Sequence, residues 1–371
     1  MTPPSPLLLP RDVLFEDGDS AADIPVCDHY CGVESRMRKS LALQADMGPV
    51  FDVTLDCEDG APIGAERAHA EMVAGLVLSS DNRFGRVGAR VHPFDHPAFG
   101  EDLDILIGRA GDRLSHLMVP KPRDAAELQR AIAAIETAAR HHGKGLTLPV
   151  HALVETHGAL RDVQALAALP RVQSLSFGLM DFVSAHRGAI PQSGMSVAGQ
   201  FSHPLVVRAK LEIAAACHAA AKVPSHSVVT EFNDLHAIAA AAQRAAREFG
   251  YTRMWSIHPA QIRPIVEAFA PSTAEVDEAI AILHAAQAAL WAPIRHRDTL
   301  HDRASYRYFW QLLERARRTG QPLPAQAVAA FYGPGPAADL AGKMRAVSQR
   351  ADTQRRQNAQ AIQDPKPSSL I

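Results

Sequence analysis

Two carboxylates have the type and spacing to do chemistry. Glu155 closes the apolar run LPVHALV, and Asp181 follows the run VQSLSF by a short FGLMD turn. If those runs are neighbouring strands, the two acids converge on one hard cation. Two carboxylates completed by waters and substrate oxygens are the usual Mg²⁺ arrangement, because Mg²⁺ dehydrates reluctantly and takes few protein ligands. A cation between them also relieves the like-charge repulsion that would otherwise raise one carboxyl pKa.

The same junction of apolar residues with charged ones recurs along the chain. Asp56, Cys57, Glu58, Asp59 and Gly60 form one; Arg90 to Pro93 another; then Pro120, Lys121 and Pro122; Glu155 to Gly158; Phe177 and Gly178 leading to Asp181; Glu231, Asn233 and Asp234; and Ser256 to Pro259. Polar residues after strands also cap helices, so no single one of these marks a site. Their convergence on one rim would.

The elements that must position them read as βα units. Eight short runs predict strands at Asp12–Phe15, Val50–Leu55, Val87–Val91, Ser115–Val119, Leu148–Val154, Val172–Phe177, Ser227–Val229 and Arg253–Ile257. Between them, helical periodicity predicts Asp124–Arg140, with Asp124 and Glu127 as a capping box, Gly158–Ala168, Pro204–Ala221 and Leu235–Phe249. Eight parallel strands make a TIM (β/α)₈ barrel, whose catalytic residues lie at the strands' C-terminal ends. Helices at Thr273–Leu290 and Ala304–Thr319 follow, with a break at Pro293. The polar tail from Ala351 has almost no apolar periodicity and reads as a flexible arm.

Composition narrows the function. The 371 residues are 47% apolar and 21% charged, enough to bury a large core, and 38 basic against 40 acidic residues exclude the electrostatic footprint of a nucleic-acid or anionic-membrane partner. Four cysteines are too few for a disulfide framework and suggest a reducing, cytoplasmic setting. MTPPSPLLLPRDVLF lacks the basic start of a signal peptide, and no run approaches the ~20 apolar residues of a membrane span. Cys27, His29 and Cys31 in CDHYC have no second ligand pair at metal spacing and read as structural. No nucleophile elbow or phosphate loop is present.

The strand-end segments LDCEDGAP (55–62), ARVHPFDHP (89–97), VPKPRDAAEL (119–128), LVETHGAL (153–160), FGLMDF (177–182) and SIHPAQI (256–262) together resemble the HpcH/HpaI aldolase and citrate lyase β-subunit superfamily, in its CoA-dependent branch of malyl-CoA and citramalyl-CoA lyases. The resemblance runs in order over roughly residues 35 to 290. It implies a TIM barrel, a bound Mg²⁺ (with Mn²⁺ as a substitute) and making or breaking of a carbon–carbon bond next to a CoA thioester. By position, Glu155 and Asp181 match the metal ligands, Glu58 and Asp59 the acidic pair that orders metal-bound water, and Arg90 the arginine that holds the oxo-acid oxygens. Lys121 belongs to the same substrate-binding rim.

In malyl-CoA lyase-like members a C-terminal segment caps a neighbouring subunit's site and supplies a catalytic aspartate; Asp302 is its counterpart here, with Asp298 as the alternative. That implies a homo-oligomer, a trimer or hexamer, acting on acyl-CoA and a 2-oxo acid. Two departures stand out: LFEDGDSAADIPVCDHYCG replaces the family's VPG loop, and His186 stands where members often carry a second aspartate. Arg36, Arg38 and Lys39 form either an exposed basic helix face or a contact for CoA phosphates, with Arg36 and Lys39 the candidates. The expected organisation is an N-terminal arm and first strand (1–35), a barrel (36–270), a helical cap (271–330) and a tail (331–371).

Overall fold

The computed structural model describes residues 8–15, 22–145 and 147–333. The tail expected from residue 351 lies outside them. The described residues fall into two compact units, one of residues 22–45 and 49–270, the other of 8–15, 46–48 and 271–333.

The larger unit is the expected barrel. Its strands are β1 (Cys27–Cys31), β2 (Phe51–Asp56), β3 (Val87–Arg90), β4 (Leu117–Val119), β5 (Val150–Val154), β6 (Val172–Phe177), β7 (Val223–His226) and β8 (Arg253–Ser256), all parallel, with β8 pairing back onto β1. Helices follow each strand, among them Glu34–Met47, Phe99–Ala110, Ala125–His141, Leu179–Ala185, Pro204–Ala219 and Pro259–Phe269.

Two expected strands are corrected. Asp12–Phe15 is not the first strand: Pro10–Leu14 is a helix, with Pro10 at a first-turn position where its missing N–H costs nothing. The first strand is CDHYC. It escaped the strand pattern because a polar barrel interior accepts Asp28, so the run does not read as apolar. The seventh strand is Val223–His226 rather than Ser227–Val229, hidden by Pro224, a residue that ordinarily argues against a strand. Two helices also differ. Gly158–Ala168 divides into His157–Arg161 and Val163–Ala168. Asp124 caps its helix through Glu127 N at 2.8 Å, but the Glu127 carboxylate turns to Arg123, where a charge-assisted bond replaces the second half of a capping box.

The barrel interior is built in layers. At the lower end Arg253, fully buried, pairs with Asp28 at 2.8 Å and Asp52 at 2.7 Å, and Arg86 reaches Asp52 at 2.9 Å. Above it, His116 and His151 stack with ring centroids 3.9 Å apart, and Thr54 bridges His116 to Asp28. Gly88 leaves room for this, since a Cβ there would sit 2.4 Å from the His116 ring. A third, apolar layer of Tyr30, Met118, Leu153 and Trp255 roofs the polar core, with Tyr30 and Trp255 stacked at 4.5 Å.

The second unit packs Thr273–Ala288, Arg303–Arg318 and Ala325–Tyr332 around Ile282, Leu283, Trp291, Tyr306, Trp310 and Phe331. Ser272 and Glu275 form a full capping box on the first of these helices. A short hairpin, Ile294–His296 with Thr299–His301, occupies the break near Pro293. No helix among the described residues is long and apolar enough to cross a membrane.

Candidate active site

The rim above the Tyr30 and Trp255 layer gathers the strand-end residues. β2 ends in Asp56, whose carboxylate accepts the Glu58 N–H at 2.9 Å and the Gly60 N–H at 2.8 Å, shaping the turn that carries Glu58 and Asp59. β3 ends in Arg90, which donates Nε to Asp56 Oδ1 at 2.7 Å and Nη2 to Asp56 Oδ2 at 2.5 Å, and whose Nη1 lies 3.0 Å from Glu58 Oε2. Its guanidinium also lies 5.7 Å from the Tyr30 ring centroid. Burial disfavours the charged guanidinium, but Asp56 and Glu58 outweigh it and keep Arg90 a permanent cation.

After β4, Lys121 adopts a left-handed backbone (φ 49°). Its ammonium donates to Glu58 Oε1 at 2.5 Å and Asp59 Oδ2 at 2.7 Å, and its backbone N–H donates to Glu155 Oε1 at 2.7 Å. Burial would lower the Lys121 pKa; the bonds to Asp59 and Glu58 hold it well above its ordinary value. Burial likewise lifts Glu58 above the usual carboxylate range against the pull of Arg90 and Lys121, whereas for Asp59 those partners overcome burial and hold it low.

Glu155 directly follows β5, whereas Asp181, expected to close the next strand, lies in the first turn of Leu179–Ala185, the helix after β6. Glu155 is 3% exposed, while the Asp181 side chain is about half exposed. Burial, reinforced by the Asp181 charge, pushes Glu155 up to about 8 despite Arg90 and the Lys121 N–H. Gly178 is what admits the Glu155 carboxylate: a Cβ there would lie 2.2 Å from Glu155 Oε2. A buried carboxylate raised by a second carboxylate, with Lys121 backbone rather than a cation on its oxygen, is an oxygen-donor pair suited to a hard cation.

A cavity of about 370 Å³ among the helices that follow β5 and β6 is lined by His157, Arg161, Phe182, His186, Arg208 and Glu212, among others, and by none of the rim acids.

The HpcH/HpaI aldolase/citrate lyase model matches residues 37–259, from within the helix after β1 to just past β8. The chain belongs to the HpcH/HpaI aldolase/citrate lyase family. A citrate lyase of Burkholderia xenovorans LB400 is 55% identical, with a TM-score of 0.76 covering 88% of this chain and 100% of that one. The L-malyl-CoA/beta-methylmalyl-CoA lyase of Cereibacter sphaeroides is 30% identical over 64% of this chain and 77% of its own length. Protein CitE of Mycobacterium tuberculosis, in a structure with magnesium, acetoacetate and coenzyme A, is 20% identical with a TM-score of 0.61 over 79% of this chain and 98% of that one, a likeness of fold. The family's named relatives are lyases, and this member is an enzyme of that class.

Within this HpcH/HpaI family member, Arg90, Lys121, Glu58, Asp59, Glu155 and Asp181 stand on one rim. Arg36 and Lys39 are exposed on the helix that leaves β1, and Arg38 beside them is engaged by Glu34 at 2.7 Å. Asp302 belongs to the helical unit, where its Oδ1 caps Arg303–Arg318 by accepting from Ala304 N at 3.0 Å and Ser305 N at 3.3 Å. Asp298 sits in the hairpin turn, paired with Arg295. Cys27, His29 and Cys31 are buried; the cysteines are free thiols and His29 bonds Ser256 Oγ at 2.9 Å, consistent with a structural role.

The sequence marked Asp56 at a strand end without giving it a role; in the structure it organises both the acidic turn and Arg90. Its signal was present, an acid two residues before Glu58 with a glycine four residues on, but the pairing with Arg90 comes from strand register: Asp56 and Arg90 are direct partners across β2 and β3.

A second cluster, Asp28, His116 and His151, brings one ligand atom of each within 4.8 Å. It lies in the polar core rather than on the rim. His116 already engages Thr54 at 3.0 Å and Ser115 at 2.9 Å, and the Arg253 guanidinium on Asp28 opposes any added cation.

Proposed function

We propose that this chain is a Mg²⁺-dependent carbon–carbon lyase that cleaves, or in reverse forms, a 3-hydroxyacyl-CoA such as malyl-CoA or citramalyl-CoA, giving an acyl-CoA and a 2-oxo acid. The observation that supports this reading is the rim on which the buried Glu155 and the half-exposed Asp181 stand close enough to interact electrostatically, beside a fixed Arg90. Glu155 and Asp181 would hold the metal, with Glu58 and Asp59 positioned for its waters; Mn²⁺ would substitute. When bound, the metal supplies Lewis acidity and a template for the substrate's hydroxyl and carboxylate oxygens.

The chain's own groups do the rest. Arg90, fixed on Asp56 and Glu58, presents a rigid cation to the oxo-acid oxygens and to the negative charge that develops as the bond breaks. The hydroxyl proton passes to a carboxylate, for which Asp302 from the helical unit of a neighbouring copy is the candidate; Oδ1 makes the helix cap, so Oδ2 is the accepting atom. Loss of that proton lets the bond between Cα and Cβ break, its electron pair becoming the thioester enolate. Arg36 and Lys39 are the candidate contacts for CoA phosphates. Supply of Asp302 in trans makes the working form a homo-oligomer, a trimer or hexamer.

The test is a panel of CoA thioesters incubated with the protein with and without Mg²⁺, followed for both 2-oxo acid and free thiol. Oxo-acid release that needs the metal and liberates no thiol supports the lyase. Thiol release without oxo acid would make it a thioesterase, and cleavage confined to free hydroxy-oxo acids would make it a CoA-independent aldolase. No turnover together with no metal binding would leave a metabolite-binding barrel.

A further inference from the structure

Lys121 meets four acids of the rim at once. Its backbone N–H holds Glu155 Oε1 at 2.7 Å, its ammonium holds Glu58 at 2.5 Å and Asp59 at 2.7 Å, and the same nitrogen stands 3.9 Å from Asp181 Oδ1. A left-handed residue bearing a side chain persists only where its surroundings over-determine it, and here φ is 49°. That backbone lets the N–H face β5 while the side chain reaches back across the rim to the β2 turn. The lysine is less than one third exposed, so its charge acts at reduced solvent screening.

Taking Glu155 and Asp181 as the metal ligands, we propose that Lys121 is an internal counter-cation that sets the metal affinity of the site. Its ammonium pairs with both Glu58 and Asp59 and stands beside Asp181, so a divalent ion bound there meets a fixed positive charge at close range. The same charge keeps the crowded acids compatible with one another when no ion is bound. Lys121 thus holds the affinity below what the carboxylates alone would give, and it does so through charge rather than through ligation.

Mn²⁺ binding, followed by electron paramagnetic resonance of the free ion, tests this on the full chain. Lys121→Met should bind Mn²⁺ roughly tenfold tighter or more, because a unit charge a few ångströms from a partly buried divalent site is worth at least that factor. Lys121→Arg should stay near wild type. Lys121→Met binding with equal or weaker affinity would overturn the proposal; if that variant fails to fold, Lys121→Gln removes the same charge and is read the same way. Glu155→Gln separates the two readings. Mn²⁺ binding that survives it removes the ligand assignment itself, whereas its loss together with an unchanged Lys121→Met affinity removes only the role of Lys121.

Discussion

Arg90 lies edge-on to Asp56 in a two-pronged pair, Nε to Oδ1 at 2.7 Å and Nη2 to Oδ2 at 2.5 Å. The pair is buried, and the same carboxylate accepts two backbone N–H groups of the following turn. Asp56→Asn therefore removes a charge partner from a buried guanidinium and weakens the turn that carries Glu58 and Asp59. Removing one member of a buried pair costs about 3–5 kcal/mol. Glu58, 3.0 Å from the guanidinium, keeps the loss near the lower figure. A urea midpoint indistinguishable from wild type would contradict this. Arg90→Lys keeps the charge but not the fork, and kcat/KM should fall by about two orders of magnitude.

Glu155→Gln and Asp181→Asn should abolish metal-dependent turnover while leaving the barrel folded. Glu155→Gln removes a carboxylate that is raised to about 8 by burial and by Asp181, so metal-free stability above neutral pH should rise. Calorimetric Mg²⁺ titration beside thermal unfolding checks both halves. Wild-type turnover in either variant would place the site elsewhere.

Gly178→Ala is a probe of packing alone. The added methyl would sit 2.2 Å from Glu155 Oε2 and 2.6 Å from its Cβ, so the carboxylate must move. Mg²⁺ affinity should drop at least tenfold with little change in secondary structure. An unchanged affinity would mean that Glu155 is free to settle elsewhere.

Acid should destabilise the protein before its ordinary carboxylates titrate. Burial lowers His29 to about 4 and His116 to about 3 from 6.5, and pushes His151 and His226 down as well. Below pH 6.5 the unfolded chain takes up protons that the folded chain refuses, so stability falls as pH drops from 6.5 toward 3. Each group contributes at most about 1.4 kcal/mol per pH unit. Glu155, raised instead of lowered, and His92, raised by Asp102, act in the opposite direction, so the comparison of urea midpoints at pH 7.5 and 5.5 is cleanest in Glu155→Gln. A higher midpoint at pH 5.5 in that background would refute the assignment.

Much of the rim was legible in the chain because a parallel barrel converts linear order into position. Once Val150–Val154 and Val172–Phe177 are neighbouring strands, Glu155 and the turn that leads to Asp181 leave the barrel at adjacent strand ends. The two missed strands share one cause. CDHYC and VPSH carry polar or proline residues that the apolar run of an ordinary buried parallel strand lacks, and the closed barrel, polar inside at Asp28, His116 and Arg253, gives them a place.

By itself, then, the sequence determined the alternation of strand and helix, the acids at the strand ends and the likeness to a lyase family. Tertiary structure alone decided that Asp56 aims Arg90, that Gly178 makes room for Glu155 and that Lys121 spans four acids. The physical reason is that composition and periodicity report which face a residue occupies, whereas charge pairing depends on a few ångströms set by register and curvature. Lys121 owes its reach to one left-handed backbone residue, a conformation that nothing in a lysine's own preferences foretells.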